Sequence, residues 1–497
     1  MNLFSLVVPT PEVVWWALIP VILFSASGLL LLTVASLVRR LPTWFPSALT
    51  IIVSIIVLLT VIPMWNYVQD KGPVIFLSGA VAVDISALFV IFILGIAVLA
   101  TAMLVPAYLK RERLSGVELY VLLLLSAAGG VVMASTNDLI VLFLGLEILS
   151  IAVYVLVAMH LRRVQSQEAA IKYFILGAFA SAFFLYGMAL IYGATGSTNL
   201  TKISDYLTTN VLVEDAMLLA GFALLLVGFG FKIAAIPFHA WTPDVYQGAP
   251  TPVVAWMASG VKAAAFAALI RTFVLSLNTY SDDWQPVLAV LAGVTILGGA
   301  VLAVVQTDVK RMLAYSSIAH TGFILIGVQT ASDQGTSAVL IYLGVYTFLA
   351  VGSFAVLTVV GGSGDTNHDL DSYRSLSRRQ PSLSIAFTVL LLGQAGIPFT
   401  GGFVAKLGVI AASVEIGSYL LAGLAMLGAA ITAFMYLRLL IVMYLKESGD
   451  VDKERIEIPI GARLVVILTA ICVLVIGFVP GPLIDLANNA VPILIGG

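Results

Sequence analysis

The chain has 497 residues, 61% of them hydrophobic and 10% charged, with a formal net charge of −2 and a mean hydropathy of +1.10. Soluble domains are about a quarter charged, so this composition excludes a water-soluble fold and points to a membrane protein. The lone cysteine, Cys472, excludes disulfides, CxxC zinc sites and iron–sulfur clusters within the chain. No basic patch suggests nucleic acid, and no glycine-rich phosphate motif follows a strand.

Apolar runs of about 20 residues, each sufficient to cross a bilayer, follow one another along the chain. They predict an all-α polytopic membrane protein with fourteen transmembrane helices, at 13–38, 47–67, 82–108, 117–134, 139–160, 169–193, 216–240, 251–275, 287–305, 311–329, 337–360, 383–412, 417–445 and 460–486. The first run lacks a basic leader and a small-residue cleavage site, so it reads as a retained span. Loops after odd-numbered spans carry fifteen Lys and Arg residues, from Arg39 and Arg40 to Lys453 and Arg455. Loops after even-numbered spans carry three, Lys71, Lys202 and Arg271. This asymmetry predicts odd loops in the cytoplasm and both termini on the outer face of the cell membrane.

Ionisable groups inside such spans are costly and mark ion pathways. Span 5 places Glu147 in its middle. Lys172 lies near the start of span 6 and can snorkel to the interface. Span 7 carries Lys232, followed five residues later by Pro237 and then His239. Proline removes a backbone donor and clashes with the carbonyl four residues back, so this helix is predicted to break. In lipid, a break is tolerated only where protein or a water-filled cavity satisfies the freed backbone. Lys262 sits near the centre of span 8 and His320 near the middle of span 10. Span 12 contains a second break, GQAGIPFTGGFVAK, with Pro398 and then Lys406. Arg438 lies about two turns from the end of span 13, again within snorkelling reach.

An unpaired ion at the depth of Glu147 costs several kcal/mol, so it should find a lysine or take a proton. Glu147 with Lys232 is the economical pair, and making and breaking it would switch the lysine between holding and releasing a proton. A static pair that only fixes helix packing is the alternative. His320 and His239 are candidate relays, since imidazole titrates near neutral pH; a lone buried histidine can equally be a packing residue. His160, at a span end, and His368, in a polar loop, read as solvated. The recurrence of Ile-Pro-Phe in spans 7 and 12, five helices apart, predicts two inverted five-helix repeats, each with a broken helix. The expected divisions are 1–112 (spans 1–3), 113–280 (first repeat, spans 4–8), 281–446 (second repeat, spans 9–13) and 447–497 (a cytoplasmic loop and the last span).

DVKRMLAYSSIAHTGF (308–323), GFKIAAIPFHAWTPDVYQGAPTPV (230–253) and GIPFTGGFVAK (396–406) closely resemble the antiporter-like membrane subunits of respiratory complex I, the proton-pumping NADH–quinone oxidoreductase. The resemblance runs over spans 3 to 14. It implies that Glu147, Lys232, Lys262 and Lys406 are the family's proton-carrying glutamate and lysines, with His320 near their connection. They would lie along two linked half-channels, driven by quinone reduction elsewhere. It also implies no cofactor or metal in this chain, with NADH, FMN, iron–sulfur clusters and quinone in partner subunits. The partners would be the other membrane and peripheral subunits and the lipid bilayer, with no nucleic acid. Two other readings compete. One is a cation/proton antiporter subunit of a multi-subunit antiporter, which shares the buried lysines. The other is a scaffold whose charges only lock helices together.

Overall fold

The computed structural model describes residues 11–38, 40–114, 116–210, 215–446 and 456–492. The helices, in chain order, begin with α1 (Trp15–Leu37), α2 (Phe45–Lys71), α3 (Ile85–Glu112), α4 (Val117–Ser135), α5 (Leu139–Val157) and α6 (Val164–Thr195). A short α7 (Leu200–Thr209) precedes α8 (Ala216–Ile233) and α9 (Trp241–Gly248). Then come α10 (Thr251–Ser276), α11 (Asn278–Val304), α12 (Val309–Gln329) and α13 (Asp333–Val360). The last are α14 (Pro381–Ala395), α15 (Gly401–Glu415), α16 (Tyr419–Leu445), α17 (Ile460–Phe478) and α18 (Gly481–Asn489). A small antiparallel hairpin, β1 (Val74–Phe76) with β2 (Val81–Val83), pairs Val74 with Val83 between α2 and α3.

Thirteen of the described helices are long and apolar enough to cross a membrane. The fourteenth predicted span is the split pair α14–α15, so each expected span has its counterpart. Helix starts follow local chemistry. Asp84, Asp138, Asp308 and Ser332 cap α3, α5, α12 and α13 by accepting first-turn backbone N–H groups, which those helices cannot satisfy internally.

Both predicted breaks are present and are built alike. Helix α8 stops at Ile233, with Ala234 in the left-handed region at φ 60°, and α14 stops at Ala395, with Gly396 at φ 83°. Each is followed by Ile-Pro-Phe, and the Ile236–Pro237 bond is cis. The second break requires Gly402, because a Cβ there would lie 1.7 Å from the Gly393 carbonyl oxygen.

Helix α10 runs through the centre, its whole apolar stretch buried by neighbouring helices. It opens into wide π turns at Met257–Val261, just before Lys262, and at Ile270–Ser276. Such turns commonly mark functional positions in helices. Helices α1, α2, α6, α11, α16 and α17 instead leave large apolar side chains exposed, among them Leu30, Leu59, Phe179, Val290, Leu427 and Leu468. In a bilayer or against other membrane helices these faces are at home. Of the residues that set the expected orientation, Arg39, Lys453 and Arg455 lie outside the described residues.

Candidate functional site

Three of the predicted lysines converge on the buried interior. Lys232, Lys262 and Lys406 are 5%, 4% and 5% exposed, respectively. Among the described residues no carboxylate lies within ion-pair distance of any of them. Each ammonium is held by neutral oxygens instead. Lys232 donates to Ser150 Oγ (2.5 Å) and lies 5.8 Å from the ring centres of both Tyr154 and Tyr173. Lys262 donates to Ser317 Oγ (2.6 Å) and O (2.7 Å), with Tyr346 below it at 5.2 Å. Lys406 donates to the Ala395 carbonyl (2.9 Å), exposed by the second break, and sits 4.9 Å over Phe323. Aromatic faces and carbonyls solvate a cation, but neither neutralises it. The protonation of such a group therefore responds strongly to any charge that arrives nearby.

The expected Glu147–Lys232 ion pair is not formed. Glu147 is half-buried on α5 and accepts a hydrogen bond from Ser181 of α6 at 2.5 Å. Ser150, three residues further along the same face of α5, takes Lys232 instead. Ser181 nevertheless reaches back towards the lysine. Together with Tyr154 and Lys232 it lines a void of about 10 Å³, close to the minimum that holds one water.

Hydrogen bonds and chain neighbours together link the three lysines along one axis. Thr321 Oγ1 donates to the Ile233 carbonyl at the end of α8 (2.7 Å) and lies 3.2 Å from the Ser317 carbonyl that also binds Lys262. The neighbouring Ser316 hydroxyl bonds Tyr436 OH, which donates to Gln394 Oε1 at 3.2 Å. Gln394 in turn donates to Ser353 Oγ at 2.6 Å and directly precedes Ala395, the anchor of Lys406. His320 is fully enclosed here, its Nδ1 2.7 Å from Tyr342 OH and its Nε2 3.3 Å from Tyr436 OH. Its neutral ring can donate through one nitrogen and accept through the other. The axis is not a continuous wire, since Lys232–Ile233, Ser317–Ser316 and Gln394–Ala395 are linked only as chain neighbours. His239 does not join it: it is half-buried beside the first break, with no partner for Nδ1 among the described residues.

A second buried cluster was not expected. His160 and His368, read as solvated from the sequence, are 5% and 2% exposed. The α13–α14 loop folds inward and carries Asp365 into full burial. There it meets Lys310 Nζ (3.1 Å), His368 Nε2 (2.9 Å), Arg163 Nη1 (3.4 Å) and Thr251 Oγ1 (2.7 Å). Burial alone would raise the Asp365 pKa, but Lys310, His368 and the Thr251 hydroxyl hold it well below the usual carboxylate range. Asp365 also accepts from Thr251 N (3.3 Å) at the N-terminus of α10, where an anion is favoured. Beside it, Glu112 accepts from Arg111 and Gly364 N and lies 3.3 Å from His160. At the opposite ends of the spans, Arg271 pairs with Asp84 at 2.5 Å and donates to the Ala134 carbonyl at 2.7 Å. Lys172 remains exposed and pairs with Glu168 and Asp244, while Arg438 snorkels to the Val304 carbonyl at the end of α11 (2.6 Å).

Among the described residues, thirteen long apolar helices with the split α14–α15 pair, two breaks and an enclosed lysine–histidine axis define a multi-pass membrane protein with the architecture of an ion-translocating subunit. Residues 136–432 match the family model described as NADH:quinone oxidoreductase/Mrp antiporter, transmembrane. NADH-quinone oxidoreductase subunit N of Trichlorobacter lovleyi is 41% identical over 421 residues, 84% of this chain and 85% of that protein. A chain of respiratory complex I from Thermus thermophilus, solved with bound aureothin, superposes with a TM-score of 0.80 at 34% identity, covering 94% of this chain and 99% of that one. A chain of the Mrp complex from Dietzia sp. DQ12-45-1b shares the fold at 20% identity, TM-score 0.83, over 96% and 97% of the two chains. The chain belongs to the NADH:quinone oxidoreductase/Mrp antiporter membrane family.

Proposed function

We propose that this chain is the proton-translocating membrane subunit of a NADH–quinone oxidoreductase, the counterpart of subunit N. The observation that carries the reading is the axis of three enclosed lysines, each solvated by neutral oxygens and joined through Thr321, Ser317, Tyr436 and Gln394. Glu147, half-buried on α5, receives a charge or proton from a neighbouring subunit. That charge acts on Lys232 through Ser181 and the water-sized void, and the disturbance passes by way of the first break to Lys262. Lys262 then exchanges with Lys406 past His320, and the second break opens towards the opposite side. His239, beside the first break, serves as an accessory relay. NADH oxidation and quinone reduction occur on FMN, iron–sulfur clusters and quinone held by partner subunits, and this chain carries no electrons. Loops after odd-numbered spans face the cytoplasm and both termini lie outside.

The matched breaks support two inverted repeats, spans 4–8 within 113–280 and spans 9–13 within 281–446. Residues 1–112 and 447–497 are additions around them. A cation/proton antiporter subunit is the second reading, favoured by the shared Mrp fold; the higher identity to complex I chains favours the first. Affinity-tagging this chain in its native membrane separates the two. Co-purification of NADH-oxidising, quinone-reducing activity supports the oxidoreductase. Isolation in an assembly without that activity supports the antiporter.

A further inference from the structure

A cavity of about 970 Å³ opens between the ends of α3 and α13 and the starts of α14 and α17, at the same end of the spans as Asp365. Its α3 wall runs from Leu104 to Arg111, roughly 10 Å along the helix axis, so it spans the boundary between hydrocarbon and headgroups. Leu104, Ala107 and Ala462 make one side apolar, while Lys110 and Arg463 bring two cations against one acid, Glu457, and Arg111 is paired with Glu112 behind them.

Two buried donors among its lining residues have no partner among the described residues. Tyr108 is 0% exposed, yet its hydroxyl bonds nothing. Arg111 uses Nε on Glu112 and Nη1 on the Thr358 carbonyl (2.6 Å), which leaves Nη2 buried and unpaired. Buried donors of this kind call for an acceptor. The first turns of α14 and α17, at Ser382 and Ala462, also border the cavity, and helix N-termini favour anions.

We propose that this cavity binds an anionic phospholipid. Its phosphate accepts from Tyr108 Oη and Arg111 Nη2, Lys110 and Arg463 balance its charge, and an acyl chain lies along Leu104, Ala107 and Ala462. Basic pockets between transmembrane helices at a membrane face suit such headgroups. The apolar wall distinguishes this site from one for free phosphate, which would need none.

The test uses the whole purified complex in phosphatidylcholine nanodiscs doped with photoactivatable phosphatidylglycerol, with labelled peptides mapped by mass spectrometry. Labelling is expected in 104–111 or 456–463. Lys110→Gln with Arg463→Gln, both exposed positions, should reduce it at least about fivefold while labelling elsewhere on the complex stays unchanged. Tyr108→Phe keeps the ring packing, removes the donor and should reduce labelling about twofold or more. Undiminished labelling in the variants, equal labelling by photoactivatable phosphatidylcholine, or complete displacement by inorganic phosphate would each overturn the assignment.

Discussion

Lys262 donates to both the hydroxyl and the carbonyl oxygen of Ser317, at 2.6 and 2.7 Å. The same carbonyl lies 3.2 Å from Thr321 Oγ1, which holds the end of the first broken helix through Ile233. The central lysine and the break that carries Lys232 are thus linked through the Ser317 carbonyl and the Thr321 hydroxyl, so movement at either reaches the other. Ser317→Ala removes one of the two Lys262 contacts and leaves the carbonyl. The complex should assemble, with quinone-coupled turnover reduced about two- to tenfold and its pH profile displaced. A pH titration of turnover in sealed vesicles measures this.

Glu147→Gln should leave assembly intact, because Ser181 still finds an acceptor, while removing the charge that acts on Lys232. Coupled turnover should drop about tenfold or more, and Glu147→Asp should restore part of it. Wild-type coupled turnover in Glu147→Gln would separate Glu147 from the path.

Lys406→Ala should permit electron transfer to begin but lower sustained turnover and proton release by about tenfold or more. Gln394→Leu should act in the same direction, since Gln394 links Tyr436 to Ser353 beside the Lys406 anchor. Proton release under single-turnover conditions is the informative readout.

Asp365→Asn tests the second buried cluster. It leaves Lys310, which is 0% exposed, without its counter-charge, and breaking such a pair costs about 3–5 kcal/mol. The variant chain should be scarce in membranes, and the purified complex should melt earlier. The sign of the pH dependence follows from the depressed Asp365 pKa. Its contribution is present above the unfolded carboxylate value of about 3.9 and is lost as pH falls below that towards the folded value. Thermal melts of wild type between pH 7 and 3 should show this loss, and Asp365→Asn should lack that component.

The breaks and the three lysines were legible because Pro237, Pro398 and the glycines around them contradict a continuous helix, and because a lysine in an apolar run has few innocent roles. The absence of a Glu147–Lys232 pair was not, since it depends on Ser181 of α6 and Ser150 of α5 taking the two groups separately. The burial of His160 and His368 was hidden for a different reason: it depends on the α13–α14 loop folding inward onto Lys310 and Thr251, contacts far apart in sequence. Ser150, Ser317, Tyr436 and Gln394 stood in the sequence as polar residues inside apolar spans, a signal that could have picked them out. Their pairing with particular lysines required the fold.

The central claim rests on Lys262. The direct measurement is proton uptake per quinone reduced by the whole complex in sealed vesicles, with and without Lys262→Ala. The account predicts that the assembled variant loses pumping or coupled turnover. An assembled variant that reduces quinone and takes up protons at the wild-type ratio would contradict it and leave the buried lysines as helix-locking groups.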